Sequence, residues 1–278
     1  MTSGRRLSAT AMTFAVVLLL SSCAAPWRRL DALAAHGGLY KRVVSGAGFD
    51  EVVYERRSDS APTRPLVVFL EGDGRPWAGP REVSPDPTSR HPVALALALQ
   101  TPGNVAYVAR PCYHEFARGS GCSPIDWTSD RYSAQTVARM TAAILALDPG
   151  GTSPIWLVGY SGGGTLAVLI APHVPRAERL VTLAANLDTK AWTRLHGYLP
   201  LTGSLNPTDA APLPPRIRQL YLFGARDANI PADTLQRFVA AQSNASVRQI
   251  EGFDHVCCWV EHWPEIWGEI TRPVGEIN

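Results

Sequence analysis

The sequence has little excess of charge of either sign, with a formal net charge of +2. Its 278 residues include 26 lysines and arginines against 24 aspartates and glutamates, and charged residues make up only 18% of the chain. Arg5 and Arg6 lie in an N-terminal segment without acidic residues that we expect to be removed, which leaves 24 basic against 24 acidic groups. Because polyanions are bound by basic surfaces, this balance argues against a nucleic acid as partner.

The N-terminal apolar run is too short to cross a membrane. It covers residues 11–20, whereas a membrane-spanning helix needs about 20 apolar residues. With Arg5 and Arg6 ahead of it, the run is typical of a secretory signal. We therefore predict that residues 1–22 are a signal peptide and that the protein is exported.

The apolar run ends in Leu20-Ser21-Ser22-Cys23, which resembles the lipobox of bacterial lipoproteins. The resemblance implies cleavage just before Cys23 and a diacylglycerol on its thiol, which tethers the chain to a membrane surface. Residues 23–38 are then a lipid-anchored tether, and residues 39–278 are the folded domain. Ala24 stands where an aspartate would often signal retention in the inner membrane, so the outer membrane facing the periplasm is the default location. The alternative is an ordinary secretory signal in which Cys23 has no role.

Cysteine is scarce, with five residues in the chain. Besides Cys23 there are Cys112, Cys122, Cys257 and Cys258. An even number in an oxidising compartment predicts disulfides, although four cysteines allow three pairings. The simplest arrangement joins Cys112 to Cys122 across a loop and leaves Cys257 and Cys258 either joined to each other or as buried thiols. The spacing lacks the paired CxxC ligands that are usual in zinc sites, so we predict no metal.

Strands and helices are predicted to alternate along the chain, which contains no internal repeat or low-complexity segment. Strands are predicted at residues 49–54, 66–70, 105–109, 155–158, 180–184, 219–223 and 246–250, of which 66–70 is a continuous apolar, β-branched run. Helices are predicted at residues 93–100, 133–147, 162–170, 232–242 and from Trp259 onward. This alternation is typical of one α/β domain, whose mostly parallel sheet is covered by helices on both faces.

A G-x-S-x-G motif stands between a predicted strand and a predicted helix. It reads Gly159-Tyr160-Ser161-Gly162-Gly163. In a sharp strand-to-helix turn, side chains two residues before and after the serine would collide with neighbouring backbone, so glycine is needed at positions 159 and 163. The motif is weak alone but strong in this context, and it makes Ser161 a candidate nucleophile.

A serine nucleophile needs a base, and the base needs an orienting acid. His255 follows the strand predicted at 246–250, and Asp227 follows the strand predicted at 219–223, so both lie beyond the carboxyl ends of strands. The order Ser161, Asp227, His255 is the order expected for this architecture. Asp188 is the alternative acid, because it follows the strand predicted at 180–184.

Two backbone amides are expected to stabilise an oxyanion. One belongs to Gly162, the residue after the nucleophile, and the other to Asp73 in the loop after the strand predicted at 66–70. A carboxylate beside a developing oxyanion would be unfavourable. We therefore expect the Asp73 side chain to point away from the oxyanion and to hold its loop together.

The chain resembles the α/β-hydrolase superfamily over almost all of its mature length. Four segments also resemble a group of poorly characterised bacterial exported hydrolases, namely residues 71–74, 110–112, 159–163 and 255–259. The resemblance implies a Ser-His-Asp mechanism without a cofactor. It also implies a short cap after the sixth strand, which we place at residues 188–207.

The function predicted from these residues is hydrolysis of a carboxylic ester through an acyl-enzyme, with a small-molecule or acyl-ester substrate. Esters are the default because they demand least of the leaving-group step. A peptidase or amidase acting on cell-envelope material is one alternative. A non-catalytic binding lipoprotein with the same fold is the other. The oligomeric state stays open.

Overall fold

The computed structural model of the protein describes residues 25–46, 49–57 and 64–272. The predicted signal peptide and the predicted lipidation site Cys23 lie outside the described residues, so both stay predictions. Residues 26–36, which the sequence places in the tether, form a helix. Two of its side chains, Leu30 and Ala34, are buried. This part of the predicted tether therefore packs against the domain.

A single eight-stranded sheet organises the described chain. The strands are β1 (Tyr40–Gly46), β2 (Phe49–Arg56), β3 (Leu66–Leu70), β4 (Asn104–Val108), β5 (Ile155–Tyr160), β6 (Ala177–Leu183), β7 (Arg218–Gly224) and β8 (Ala245–Ile250). They lie in the order β1-β2-β4-β3-β5-β6-β7-β8. β2 is antiparallel to β1 and β4, and every other pair is parallel. The predicted mostly parallel sheet is confirmed.

Helices cover both faces of this sheet, as predicted. In the described ranges they are α1 (Pro26–His36), α2 (Val93–Gln100), α3 (Ala134–Ala146), α4 (Gly162–Ile170), α5 (Thr189–His196), α6 (Gln236–Ala240) and α7 (Trp263–Thr271). The core on one face includes Met140 of α3 and Leu166 of α4. The core on the other face includes Leu30 of α1, Leu95 of α2 and Trp263 of α7. Apolar side chains on both faces explain why the central strands are apolar throughout.

Some predicted elements have the observed bounds and others are shifted; the strand predicted at 180–184, for example, is β6 at Ala177–Leu183. β3, α2 and α4 have the predicted limits. The helix predicted at 232–242 is instead a short 3₁₀ turn, Ala232–Thr234, followed by α6. The last helix begins at Trp263 rather than Trp259. Its second residue is proline, a residue that suits the first turn of a helix.

The segment after the sixth strand forms the predicted short cap. It contains α5 and an irregular stretch that leads to β7. The side chain of Asp188 begins α5 by accepting a hydrogen bond from the amide of Ala191 at 3.0 Å. Among the described residues, no helix has both the length and the apolar character needed to cross a membrane.

The four cysteines in the described ranges pair as two disulfides. Cys112 and Cys122 are bonded with Cα atoms 5.5 Å apart, which is the loop staple expected from the sequence. Cys257 and Cys258 are bonded to each other. Of the two options that the sequence leaves open for this adjacent pair, the structure therefore has the joined one.

Candidate active site

Ser161 occupies the turn that connects β5 to α4. Its backbone has φ 51° and ψ −124°, a left-handed φ that costs a non-glycine residue about 1–3 kcal/mol and often marks a functional position. The turn is held on both sides, because the Ser161 amide donates to the oxygen of Leu183 at 2.8 Å and its carbonyl accepts from the amide of Gly164 at 2.9 Å. These bonds fix a strained residue at the carboxyl edge of the sheet.

The glycines of the motif are required for the expected reason. A β-carbon on Gly159 would lie 2.4 Å from the carbonyl oxygen of Gly163. A β-carbon on Gly163 would lie 2.1 Å from the carbonyl oxygen of Leu70 on the neighbouring strand. Both clashes are with backbone, which cannot move without opening the turn. Larger residues would therefore displace Ser161.

His255 lies between Ser161 and Asp227. Its Nε2 is 3.0 Å from the Ser161 Oγ, and its Nδ1 is 2.9 Å from the Asp227 Oδ2. The Asp227 side chain is fully buried, while a fifth of the His255 side chain is exposed. The structure thus brings together the three residues that the sequence proposes as nucleophile, base and acid.

Backbone amides hold the Asp227 carboxylate in place. Its Oδ1 accepts hydrogen bonds from the amides of Asn229 at 2.9 Å and Ile230 at 2.8 Å. With Oδ1 bound to these amides, Oδ2 is left for His255. Hydrogen bonds to a buried carboxylate compensate for its loss of hydration.

The loop that carries His255 is fixed by side chains on either side. The Tyr160 hydroxyl donates to the His255 carbonyl at 2.8 Å, and the Trp259 Nε1 lies 3.2 Å from the same oxygen. Asp254 Oδ1 accepts from the amides of Val256 and Cys257. Asp254 therefore shapes the turn and makes no bond to the imidazole of its neighbour.

Asp188, the alternative acid, has a different place. Its Oδ1 caps α5 and also accepts a hydrogen bond from the Asn206 side chain at 3.3 Å. The hydrogen-bonded carboxylate partner of His255 is Asp227. Asp188 therefore holds the start of the cap in place and is not part of the hydrogen-bonded group formed by Ser161, His255 and Asp227.

The loop that carries Asp73, one of the two proposed oxyanion donors, borders the Ser161 turn that precedes the other, Gly162. Gly72 borders Ser161, since a β-carbon built on it would be 3.3 Å from the Ser161 Cβ. The Gly72 amide donates to the Glu71 carboxylate at 3.0 Å. Within the described chain, the amides of Asp73 and Gly162 donate to no other protein atom, so both are available to a ligand.

The Asp73 carboxylate lies against the Ser161 turn and forms the centre of a polar cluster. Arg110 donates to one of its oxygens at 2.8 Å and Arg131 to the other at 2.7 Å. The Tyr132 hydroxyl is 2.8 Å from both oxygens. Burial alone would raise the pKa of Asp73, but the positive charges of Arg131 and Arg110 outweigh it and hold the pKa at about 2. The prediction that this side chain holds its loop agrees with these contacts.

Sequence reasoning did not identify the partners of Asp73. Two arginines share the Asp73 carboxylate, so the cluster as a whole has a net positive charge. A β-carbon on Gly162 would lie only 1.9 Å from the Asp73 Oδ1. The group that lies against Gly162 is thus the Asp73 carboxylate, and the two arginines bound to it compensate its negative charge.

Glu71 is a second buried acid beside this loop. Its carboxylate accepts from the amides of Gly72 at 3.0 Å and Leu95 at 3.4 Å. Burial raises the pKa of Glu71 to about 7, although these backbone hydrogen bonds partly oppose the shift. Glu71 connects the loop after β3 to the first turn of α2.

Ser161 and His255 open into a cleft of about 520 Å³. Asn229 also lines it and connects the cleft to the cap. The Trp192 Nε1 donates to the Asn229 side chain at 3.4 Å, and the His196 Nε2 lies 2.8 Å from its carbonyl oxygen. The cap therefore reaches the cleft through Asn229, a residue that sequence reasoning missed despite its position two residues after Asp227.

The described ranges contain no group of three or more histidine, cysteine, aspartate or glutamate side chains placed to hold a metal ion. What the site provides is a hydroxyl, an imidazole, a buried carboxylate and free backbone amides. Together these groups can perform proton transfer and nucleophilic attack on a carbonyl carbon.

A model of the α/β-hydrolase fold family matches residues 117–202, which include the Ser161 turn. No curated protein matches the chain. Several solved structures are similar to it. A proposed dienelactone hydrolase from Klebsiella pneumoniae is 18% identical, with a TM-score of 0.57 over 84% of this chain and 95% of that chain.

Two further structures are similar at comparable levels. A membrane phospholipase A, a bacterial virulence factor, is 15% identical, with a TM-score of 0.52 over 95% of this chain and 100% of that chain. Est1E from Butyrivibrio proteoclasticus is 15% identical, with a TM-score of 0.51 over 83% of this chain and 97% of that chain. Identities this low establish a shared fold and do not transfer a substrate.

Proposed function

Because the chain has the α/β-hydrolase fold, we propose that it is an exported serine hydrolase that cleaves a carboxylic ester through an acyl-enzyme. The observation that carries the proposal is the hydrogen-bonded series of Ser161, His255 and Asp227, with contacts of 3.0 Å and 2.9 Å. Ester is the proposed bond because its leaving group needs the least assistance.

In the first half of the reaction, His255 Nε2 takes the proton of the Ser161 hydroxyl as Oγ attacks the ester carbonyl. The tetrahedral intermediate collapses, and His255 returns the proton to the departing alcohol. Asp227 keeps the Nδ1 proton on the imidazole and stabilises the imidazolium that forms. The acyl group is then an ester of Ser161.

In the second half, His255 removes a proton from water, and the hydroxide attacks the acyl carbonyl. Collapse of this intermediate releases the carboxylic acid and returns the proton to Ser161 Oγ. In both halves the amides of Gly162 and Asp73 hold the oxyanion. Each such donor is worth on the order of 10²–10³ in rate.

The proposed location follows from the N-terminal sequence. Residues 1–22 direct export, and acylation of Cys23 anchors the protein to a membrane of the bacterial envelope, with the outer membrane facing the periplasm as the default. Disulfides between Cys112 and Cys122 and between Cys257 and Cys258 suit an oxidising compartment. Mass spectrometry of the N-terminal peptide from envelope fractions tests this, since an unmodified Cys23 would contradict it.

A fluorophosphonate probe, which bonds to activated serines, tests the catalytic proposal. The full chain is compared with four variants: Ser161→Ala, His255→Ala, Asp227→Asn and Asp188→Asn. We expect no labelling of the first and slowing of the second on the order of 10²–10⁴, the usual contribution of a general base. Asp227→Asn should slow labelling far more than Asp188→Asn, which serves as the matched control.

The outcomes separate the alternatives. Labelling that survives in the Ser161 variant would exclude Ser161 as nucleophile. A folded wild-type protein that is not labelled would favour a binding lipoprotein. Turnover of an amide at the rate of its matched ester would favour a peptidase or amidase.

A further inference from the structure

Two arginines line the Ser161 cleft, and neither has a carboxylate partner in the part of the chain that the structure describes. Arg75 and Arg90 both border the cavity, and we call this pair the arginine wall. The Arg75 Nη2 donates to the carbonyl oxygen of Ala78 at 2.9 Å. Arg90 makes no hydrogen bond or ion pair with any described residue. Most of their N–H donors are therefore available to a ligand.

The backbone fixes the position of the arginine wall relative to Ser161. The Arg75 amide donates to the carbonyl oxygen of Pro87 at 2.8 Å, which joins the loop after β3 to the segment that carries Arg90. Gly74 allows this close approach with φ 64°, because a β-carbon there would lie 2.1 Å from the Pro87 oxygen. The same loop borders Ser161 through Gly72. The backbone of the arginine wall is thus joined together and borders the turn that carries the nucleophile.

The acidic residues of the cleft do not neutralise the arginine wall. Asp73 is already bound by Arg110 and Arg131. Glu71 is buried, and burial raises its pKa to about 7. The lining of the cleft therefore carries excess positive charge, which a low-dielectric cavity focuses on any ligand that enters.

We propose that the arginine wall binds an anionic group of the substrate, so that the esters cleaved at Ser161 carry a carboxylate or a similar anion. This inference rests on the proposed hydrolase function and names its substrate class. A guanidinium suits the task because its planar N–H donors bind a carboxylate through two parallel hydrogen bonds.

Matched ester pairs test the inference. One pair places the charge in the acyl portion: 4-nitrophenyl hydrogen adipate and its methyl ester. The other places it in the leaving portion: 4-acetoxybenzoate and its methyl ester. For each pair the ratio of kcat/KM, anionic over neutral, is measured for the wild type and for Arg75→Gln and Arg90→Gln. Because the same esters are used throughout, their intrinsic reactivities cancel.

We expect the ratio for at least one pair to fall about tenfold in both variants, the size of one charge-assisted hydrogen bond. In the wild type it should also fall between about 0.05 M and about 0.5 M NaCl, because salt screens exposed charges. Arg81→Gln is the matched control, since Arg81 is exposed and outside the cleft. It should leave both ratios unchanged.

Failure of this inference differs from failure of the proposed function. Ester turnover with ratios that do not change in Arg75→Gln or Arg90→Gln would overturn the anionic substrate class alone. Absence of both turnover and fluorophosphonate labelling would overturn the proposed function, and the inference with it. Arg90→Gln is the decisive variant, because its exposed side chain makes no contact that the fold needs.

Discussion

The carboxylate of Asp73 lies against the backbone of Gly162, so closely that a β-carbon on Gly162 would be 1.9 Å from its Oδ1. Gly162 is the residue that follows the proposed nucleophile, and Asp73 belongs to the loop after β3. The two residues whose amides are proposed to bind the oxyanion are thus packed on each other. A change at either position should affect the other.

Gly162→Ala should abolish most catalysis without unfolding the protein. The added methyl group would displace the Asp73 carboxylate and would also come within 2.6 Å of the Tyr132 hydroxyl. Because both oxyanion donors move, we expect ester turnover to fall on the order of 10²–10³ or more. Steady-state kinetics, with circular dichroism to monitor folding, measures this.

Gly268→Ala is the control for that substitution. Gly268 lies on an exposed part of α7, and a β-carbon there would meet nothing within 4 Å. The substitution should leave kinetics unchanged and stabilise the helix by about 0.5–1 kcal/mol. If Gly162→Ala instead had wild-type activity, the Asp73 loop could be displaced without loss of catalysis. That result would contradict its assignment as the oxyanion loop.

Asp73→Asn should destabilise the fold. It leaves the guanidinium groups of Arg110 and Arg131, which are 3% and 8% exposed, without a counter-charge. Removing one partner of a buried ion pair costs about 3 kcal/mol. Urea unfolding at pH 7 measures the change. Glu269→Gln, which breaks the exposed pair with Arg248, should cost no more than about 1 kcal/mol, and equal losses in the two variants would contradict this account.

Asp73 also predicts a limit on acid stability. Its pKa is lowered to about 2 in the folded protein from an ordinary value of 3.8. A lowered pKa means that the unfolded chain binds the proton first, so this contribution is complete above pH 3.8 and is lost as the pH falls toward 2. Unfolding measured between pH 5 and 2 should therefore show a smaller acid loss in Asp73→Asn than in the wild type. Parallel curves would contradict the ion-pair assignment.

The sequence predicts correctly those helices and strands that consist of a buried apolar run next to residues typical of turns. β3 and α4 have the predicted bounds because each is a continuous apolar segment next to glycine-rich turns. β1 was not predicted, since Tyr40-Lys41-Arg42 begins an edge strand that is exposed and mostly polar. An edge strand is defined by its pairing with β2, which no local pattern reveals.

The residues of the site also fall into those that the sequence predicts and those that only the structure reveals. Ser161, Asp227 and His255 each follow a strand, so the rule that parallel strands end at one edge brings them together. Arg110 and Arg131 lie at opposite ends of the connection between β4 and α3, and their convergence on Asp73 depends on tertiary packing that spacing does not encode.

The disulfide between Cys112 and Cys122 should stabilise the protein. It spans a separation of 10 residues, for which loop-closure entropy predicts about 2–3 kcal/mol. Thermal unfolding of the Cys112→Ser/Cys122→Ser variant measures the loss. Cys257→Ser/Cys258→Ser is the comparison, because adjacent residues enclose no loop of chain and the entropic contribution there should be far smaller. Equal losses from the two disulfides would contradict the entropic explanation.

Glu51 predicts that stability decreases as the pH rises through the neutral range. The side chain lies in β2, is 1% exposed, and neither carboxylate oxygen has a hydrogen-bond partner among the described residues. Burial raises its pKa to about 8 from an ordinary value of 4.5, although the charge of Arg139 partly opposes the shift. The folded protein therefore keeps a proton that the unfolded chain has already released.

The sign of the effect follows from proton binding. Between pH 4.5 and about 8 the folded state holds one more proton on Glu51 than the unfolded state. The free energy of unfolding should therefore fall by about 1.4 kcal/mol per pH unit from this group alone. Glu51→Gln is neutral at every pH and lacks this contribution. Urea unfolding of both proteins at pH 5, 6, 7 and 8 should give curves that diverge, with the variant gaining on the wild type at each step. Parallel curves would mean that Glu51 is ionised in the folded protein, and a partner for its carboxylate would then be required.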